Sequence, residues 1–250
     1  MTLTQERLHI VLAPRAFQFY AQADSTNDLA MAWLKQGAPD GAVVIADEQL
    51  KGRGRMGRTW YTPPGVALAV SVILHPAVDA LSQVSMLGAL AIAELCDHLG
   101  LSDVGIKWPN DVQVNHLKVS GVLPEVVWEG TSLKGVVLGM GINVHVDFSN
   151  TELAQTAINL ESALGHSLDR TELLAYLLNR VDYWTGQLGS YVLYTAWKSR
   201  LNMLGSFVNV SNTDVTLQGV AQDVDEQGAL LVRTPDGELN RVIAGDIVMG

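Results

Sequence analysis

The run Gly52-Arg53-Gly54-Arg55-Met56-Gly57 restricts the fold of this 250-residue chain more than any other feature. Its glycine spacing is that of a dinucleotide-binding turn, which must end a strand and open a helix. Here it runs instead into Arg58-Thr59-Trp60-Tyr61-Thr62-Pro63-Pro64-Gly65. Two consecutive prolines lack backbone donors and clash with a preceding helical turn, so the required helix is forbidden. The dinucleotide reading fails on this context. What remains is a loop whose glycines let the backbone approach a ligand, while Arg53, Arg55 and Arg58 offer planar forks to phosphate or carboxylate. A solvated basic loop is the alternative reading of the same residues.

Charge sharpens the question. The net charge is −10, yet Lys51, Arg53, Arg55 and Arg58 place four of the 16 lysines and arginines within eight residues. The acidic balance argues against a nucleic-acid binder, which needs clustered cations to neutralise phosphates. The local basic field in an acidic protein therefore calls for an explanation. With 48% hydrophobic residues the chain is expected to fold as a globule. No apolar run is expected to span a bilayer, and the start Met1-Thr2-Leu3-Thr4-Gln5-Glu6-Arg7 does not read as a signal peptide. The single cysteine, Cys96, sits on a predicted helix face and reads as a small buried hydrophobe. A reducing, cytoplasmic setting fits.

Periodicity predicts the elements. Asp24-Ser25-Thr26-Asn27 reads as a loop with capping residues, opening a helix that stops at Gly37. Ala42–Ala46 and Val66–Leu74 read as buried strands, and Ser82–Leu99 as a helix ended by Gly100. Val104–Lys107, Asp111–Val114, Val119–Trp128 and Lys134–Val144 are strand candidates, with a tight turn at Asn115-His116. Two helices follow, at Thr171–Leu188 and around Tyr191–Leu204. Beyond Gly205, short alternating runs at Phe207–Val210, Val215–Leu217 and Ala229–Val232 predict a small antiparallel barrel. The expected class is α+β, a mixed sheet with packed helices over residues 1–204 and a small C-terminal barrel over 205–250.

Two further clusters suggest chemistry. Lys107-Trp108-Pro109-Asn110-Asp111 sets a lysine at a strand end, where it can neutralise charge on a carboxylate and a phosphate in a cleft. An exposed lysine before an ordinary turn is the alternative. Glycines inside Lys118-Val119-Ser120-Gly121-Val122-Leu123-Pro124-Glu125 and Gly139-Met140-Gly141-Ile142-Asn143 mark either a ligand's close approach or a bulge.

Taken in order, Ser25-Thr26-Asn27, Gln49 with Gly52–Gly57, Lys107–Asp111, Lys118–Glu125 and Gly139–Asn143 closely resemble the motifs of the biotin protein ligase family. The resemblance covers roughly residues 20–160 and implies a class II synthetase-like catalytic domain with an SH3-like C-terminal barrel. It further implies that biotin is joined to AMP from ATP, with Mg²⁺, and then passed to a lysine of a biotin carboxyl carrier protein. By the same resemblance, Ser25, Thr26, Asn27, Gln49, Gly52, Gly54 and Gly121 belong to the biotin site. Arg53 and Arg55 sit on a loop that orders over the adenylate, and Lys107 bridges the biotin carboxylate and α-phosphate. Arg58, Trp60, Asn110, Lys118 and Asn143 belong to the nucleotide side. No metal ligand is assigned. Two positions depart from the family pattern, Ser120 and Pro124, and Pro124 is expected to remove one ladder donor. Only 24 residues precede Ser25, so a DNA-binding domain is not expected here. Homodimers are common in the family, though no segment here compels one. A lipoate-type ligase or acyltransferase on the related fold, and a non-catalytic biotin-binding regulator, are the competing readings.

Overall fold

The structure is a computed structural model that describes residues 3–211 and 216–249. Thus Val215, placed above in a strand, and Met1 and Thr2 lie outside the described residues. The chain order is α1 (Gln5–Leu12), β1 (Phe17–Ala23), α2 (Thr26–Lys35), β2 (Val43–Gln49), β3 (Ala67–Leu74) and α3 (Val84–His98). It continues with β4 (Val104–Lys107), β5 (Asp111–Val114), β6 (Leu117–Glu129), β7 (Ser132–Asn143), α4 (Leu160–Leu164), α5 (Arg170–Thr185) and α6 (Tyr191–Lys198). The last strands are β8 (Phe207–Ser211), β9 (Thr216–Val224), β10 (Leu230–Arg233), β11 (Leu239–Val242) and β12 (Asp246–Met249).

Seven strands form one mixed sheet in the order β1-β2-β3-β7-β6-β5-β4, in which only β1 and β2 run parallel. The reason lies in the strands themselves. Every residue of β3, Ala67–Leu74, is buried, as a strand covered on both faces must be. Asn115 and His116 both adopt positive φ, which closes the β5–β6 hairpin with the twist that adjoining strands need. Alternation then assigns the faces. Gly88 of α3 meets Val122 and Leu138, so even-numbered residues of β6 and β7 face that helix. The odd-numbered Gly121, Gly139 and Gly141 consequently face the other side, where α2 packs on β2, β3 and β7. One apolar cluster runs from α1 through α3, α5 and the sheet to Val208, Ala221 and Ile247 of the C-terminal strands.

Several expectations are corrected. The helix expected over 82–99 begins as a 3-10 turn over Val78–Gln83 before α3. The stretch Val78–His98 is, by length and composition, apolar enough to cross a membrane, contrary to the expectation above. However, 67% of its most apolar window is buried inside the protein, as befits a core helix. The second late helix stops at Lys198 rather than Leu204. Elements α1, β1, α4, β11 and β12 were not anticipated. Ser25 is the N-cap of α2, but its side chain makes no capping bond. Val122 directs its N–H to the Asn110 carbonyl, away from β7. Pro124, two residues on, has the same orientation where β5 has already ended, so its missing N–H costs no ladder bond. The C-terminal strands form an antiparallel sheet in the order β11-β10-β9-β8-β12.

Candidate active site

The odd face of β6 and β7 is the floor of a cavity of about 570 Å³, within the range of small-ligand sites. The floor carries no side chains at three places, and each has a specific occupant. A Cβ at Gly141 would lie 2.3 Å from Trp60 Cε2, and one at Gly139 would lie 2.3 Å from Asn27 Oδ1. At Gly121 it would touch both Lys118 and Trp60. The glycines thus mark close approach of side chains, while the ladder's irregularities fall elsewhere, at Val112/Gln113 and Val127/Trp128.

One wall is the start of α2 with Gln49. The Gln49 Oε1 accepts from Thr26 N at 2.8 Å and from Thr26 Oγ1 at 3.0 Å, and Nε2 reaches Thr62 Oγ1 at 3.4 Å. A carbonyl held by two donors leaves the amide hydrogens pointing away from α2, along the cavity rim. Asn27 is 5% exposed and fully engaged: Nδ2 donates to Leu123 O and to Glu125, and Oδ1 accepts from Ser71 Oγ at 2.6 Å. It sets the floor's shape, and its polar atoms are spent on protein partners.

The arginine loop forms the second wall. It is held as a narrow ribbon by the Arg53–Thr59 bridge and the Trp60 N–H on Gly52 O, with a 3-10 turn over Arg55–Gly57 and no longer helix. Gly52 lies within the ribbon rather than on the cavity lining. A Cβ there would lie 2.4 Å from the Trp60 carbonyl, so its role is to let the ribbon close. Arg53 Nη1 grips both oxygens of Asp28 at 2.6 and 2.7 Å, and Nη2 reaches Glu125 at 3.0 Å. The bond to Asp28 raises its pKa, outweighing burial, and Glu125 adds to the rise. Arg55 is the most enclosed of the three, and burial lowers its pKa against the pull of Asp246 and Asp111. Its Nη1 donates to Asn110 Oδ1 at 3.3 Å and to Gly245 O at 3.4 Å. Arg58 pairs with Asp246.

Lysines and amides close the third wall. Lys107 lies on the cavity without a carboxylate partner among the described residues, whereas Lys118 is paired with Asp111 at 2.7 Å. Lys118 Nζ also stands 5.4 Å from the centre of the Trp60 ring, and Trp60 Nε1 is buried with no protein acceptor. Asn110 spends its amide on Val122 O at 2.6 Å and its oxygen on Arg55. Asn143 Nδ2 donates to Lys118 O and Ile158 O. Phe148, Leu153 and Asp246 complete the enclosure. Ser25, Thr26, Asn27, Gln49, Arg53, Gly54, Arg55, Arg58, Trp60, Lys107, Asn110, Lys118, Gly121 and Asn143 all line this one space. Sequence reasoning missed Ser71, which sits in an apolar strand, Asp28, and Asp246, which belongs to no motif; it included Glu125 in a motif without giving it the role of holding Arg53 and Asn27. Cys96 lies far from this chemistry, its thiol pushed up to about 12 by burial.

Comparison with known proteins places this geometry. Residues 19–143 match the Biotin/lipoate A/B protein ligase family, and residues 203–250 match the Biotin protein ligase C terminal domain. The biotin--[acetyl-CoA-carboxylase] ligase of Paracoccus denitrificans is 35% identical over 230 residues, 87% of this chain and 94% of that protein. The bifunctional ligase/repressor BirA of Bacillus subtilis is 31% identical over 236 residues, 90% of this chain and 71% of that protein. Among solved structures, the biotin protein ligase from Aquifex aeolicus in complex with biotin and ATP superposes with a TM-score of 0.77 at 27% identity, covering 94% of this chain and 98% of that one.

Proposed function

The chain belongs to the biotin/lipoate A/B protein ligase family, and on that premise we propose that it is an ATP-dependent ligase that makes biotinyl-5′-AMP and transfers biotin to a lysine of a carboxylase carrier domain. The observation that carries the site assignment is convergence. Five sequence segments far apart in the chain meet around one cavity, with the start of α2 over Gly139, Trp60 over Gly141 and Lys107 on the lining.

In the first step, a biotin carboxylate oxygen attacks the α-phosphorus of ATP. The bond to the bridging oxygen breaks, and pyrophosphate leaves with its electron pair. Lys107, which lines the cavity, is assigned to the carboxylate and α-phosphate, where its charge would offset what accumulates. The amide and hydroxyls of Gln49, Thr26 and Ser25 serve the polar end of biotin. Trp60, flat on Gly121 and Gly141 with a free indole N–H, offers a stacking surface to adenine. Asn143 and Lys118 flank it on the phosphate side. Arg53, Arg55 and Arg58 bring three charges to a loop that covers the adenylate and keeps water from it. In the second step, a deprotonated carrier lysine attacks the acyl carbon and AMP departs.

Mg²⁺ is taken as supplied with ATP, and no residue is assigned as its ligand. The same reading treats residues 1–204 as the catalytic unit and 205–250 as a curled five-stranded module of the SH3-like kind, supported by the family match at 203–250. It places the protein in the cytoplasm, with no role on DNA, in keeping with its acidic balance.

The test is intact-mass analysis of an apo carrier domain incubated with the protein, biotin and Mg-ATP. One added biotinyl group, dependent on both small molecules and undiminished by excess lipoate, is the expected result. No mass gain and no pyrophosphate, while an active ligase modifies the same carrier, would leave a binding pocket without catalysis.

A further inference from the structure

The C-terminal sheet touches the cavity at two points that no motif announces. Trp108 of the lysine segment is 1% exposed and donates its Nε1–H to Gly228 O at 2.8 Å, so the turn before β10 is docked beneath the cavity wall. Gly228 has φ +82 and packs on Met86, which fixes that turn's approach. At the other point, Asp246, the first residue of β12, accepts from Arg58 Nη1 at 3.0 Å and pairs with Nη2 as well, a two-point grip on the guanidinium. The preceding carbonyl, Gly245 O, accepts from Arg55 Nη1. Both arginines that are not tied to α2 and β6 are thus tied to one dipeptide of the C-terminal sheet.

We propose that Asp246 is a positioning residue that latches the arginine loop closed over the cavity, making the C-terminal sheet part of the device that shields the reactive intermediate. The charge pattern agrees: Asp246 is the leading counter-charge for the enclosed Arg55, while Arg55 and Arg58 repel each other. Without it, Arg55 and Arg58 lose their shared carboxylate, and the loop's arginine ties to the rest of the protein are reduced to Arg53 on Asp28 and Glu125 and Arg55 on Asn110 and the Gly245 carbonyl. The grip at Arg58 is partly solvated, with 60% of that side chain exposed, and so its effect is modest. An exposed pair of this kind is worth up to about fivefold in an equilibrium.

The proposal rests on the ligase reading for its chemical consequence, and the test separates the two. Hydrogen exchange of the ligand-free full chain, resolved over residues 52–62 and over β8–β12, is compared for the parent, Asp246→Asn and Asp246→Glu. The expected result is exchange up to about fivefold faster over 52–62 in Asp246→Asn alone, with β8–β12 unchanged. With biotin and Mg-ATP but no carrier, Asp246→Asn should then leak AMP faster by a similar factor, since the anhydride meets water more often. Unchanged exchange over 52–62 would overturn the latch, as would acceleration spread evenly through β8–β12, which would make Asp246 a fold residue. Faster exchange over 52–62 with no biotin-dependent AMP from either protein would keep the latch and remove the ligase reading.

Discussion

Gly141 and Gly139 stand two residues apart on the cavity face of β7, and one added methyl at each should separate the two ends of the site. A Cβ at 141 would lie 2.3 Å from Trp60 Cε2 and 2.5 Å from Nε1. Carbon contacts settle at about 3.5 Å or beyond, so one partner must yield by a little over ~1 Å. The β7 backbone is laddered to β3 on one edge and β6 on the other, whereas the Trp60 side chain borders open cavity. The ring therefore lifts and the strand stays. Stacking of a base on an aromatic ring is worth about 1–3 kcal/mol, so losing it should raise the ATP KM of Gly141→Ala by a factor of about 5 to 160. Biotin affinity should hold within about threefold, because nothing near Gln49 moves. Gly139→Ala reverses the pattern. Its methyl meets Asn27, which is locked by Ser71, Leu123 O and Glu125 and cannot swing away. Overpacking there should cost about 1–3 kcal/mol of stability and weaken biotin binding. The assays are biotin-dependent ATP–pyrophosphate exchange at varied ATP, calorimetric biotin binding and thermal melts. A Gly141→Ala protein that melts normally with an ATP KM within about twofold of the parent would refute adenine stacking on Trp60.

Three other outcomes follow from single contacts. Lys107→Ala should slow pyrophosphate exchange by at least about a hundredfold, the usual scale for one electrostatic group at a reacting oxyanion, and an undiminished rate would remove Lys107 from the mechanism. Cys96 is fully buried and its thiol lies near 12, so the native protein at pH 8 should resist iodoacetamide until denaturant is added; rapid alkylation of folded protein would show the α3 packing to be wrong. At Asp225, burial alone would raise the carboxyl pKa, but Arg241 and the N–H groups of Ala229 and Gln227 outweigh it and hold it low. A lowered folded pKa gives stability that is complete above the unfolded value near ~4 and lost as pH falls through the folded one. Urea midpoints of parent and Asp225→Asn should therefore differ at neutral pH and converge toward about pH 3. Parallel curves would contradict this.

Legibility differed by element for physical reasons. β3 and the β5–β6 hairpin were readable because an unbroken apolar run and a two-residue turn leave few alternatives. β1 escaped because Phe17–Tyr20 are only half buried along a sheet edge and give no clean alternation. β11 and β12 are four residues each, too short to announce themselves. The site residues that could be read are those in dense motifs, and they do meet in one cavity. The roles of the residues that hold them could not be read, even for Glu125, which ends a motif. Asp28, Glu125 and Asp246 are ordinary carboxylates whose meaning is the arginine each one grips, and Ser71 is one hydroxyl in an apolar strand whose bonds run to Thr26 and Asn27 on a distant helix. Such pairings are facts of topology rather than of composition.

The Trp108–Gly228 link and the Arg58–Asp246 grip give the cavity a schedule as well as a shape. Its floor and three of its walls are encoded by residue 157, but Asp246, Ile247 and Val248 supply the remaining side. A ribosome must therefore pass β12 before a nascent chain can enclose a reactive anhydride. Any product cut short before residue 246 would carry most of the cavity's polar groups yet lack that side of it and the Ile247 contribution to the core.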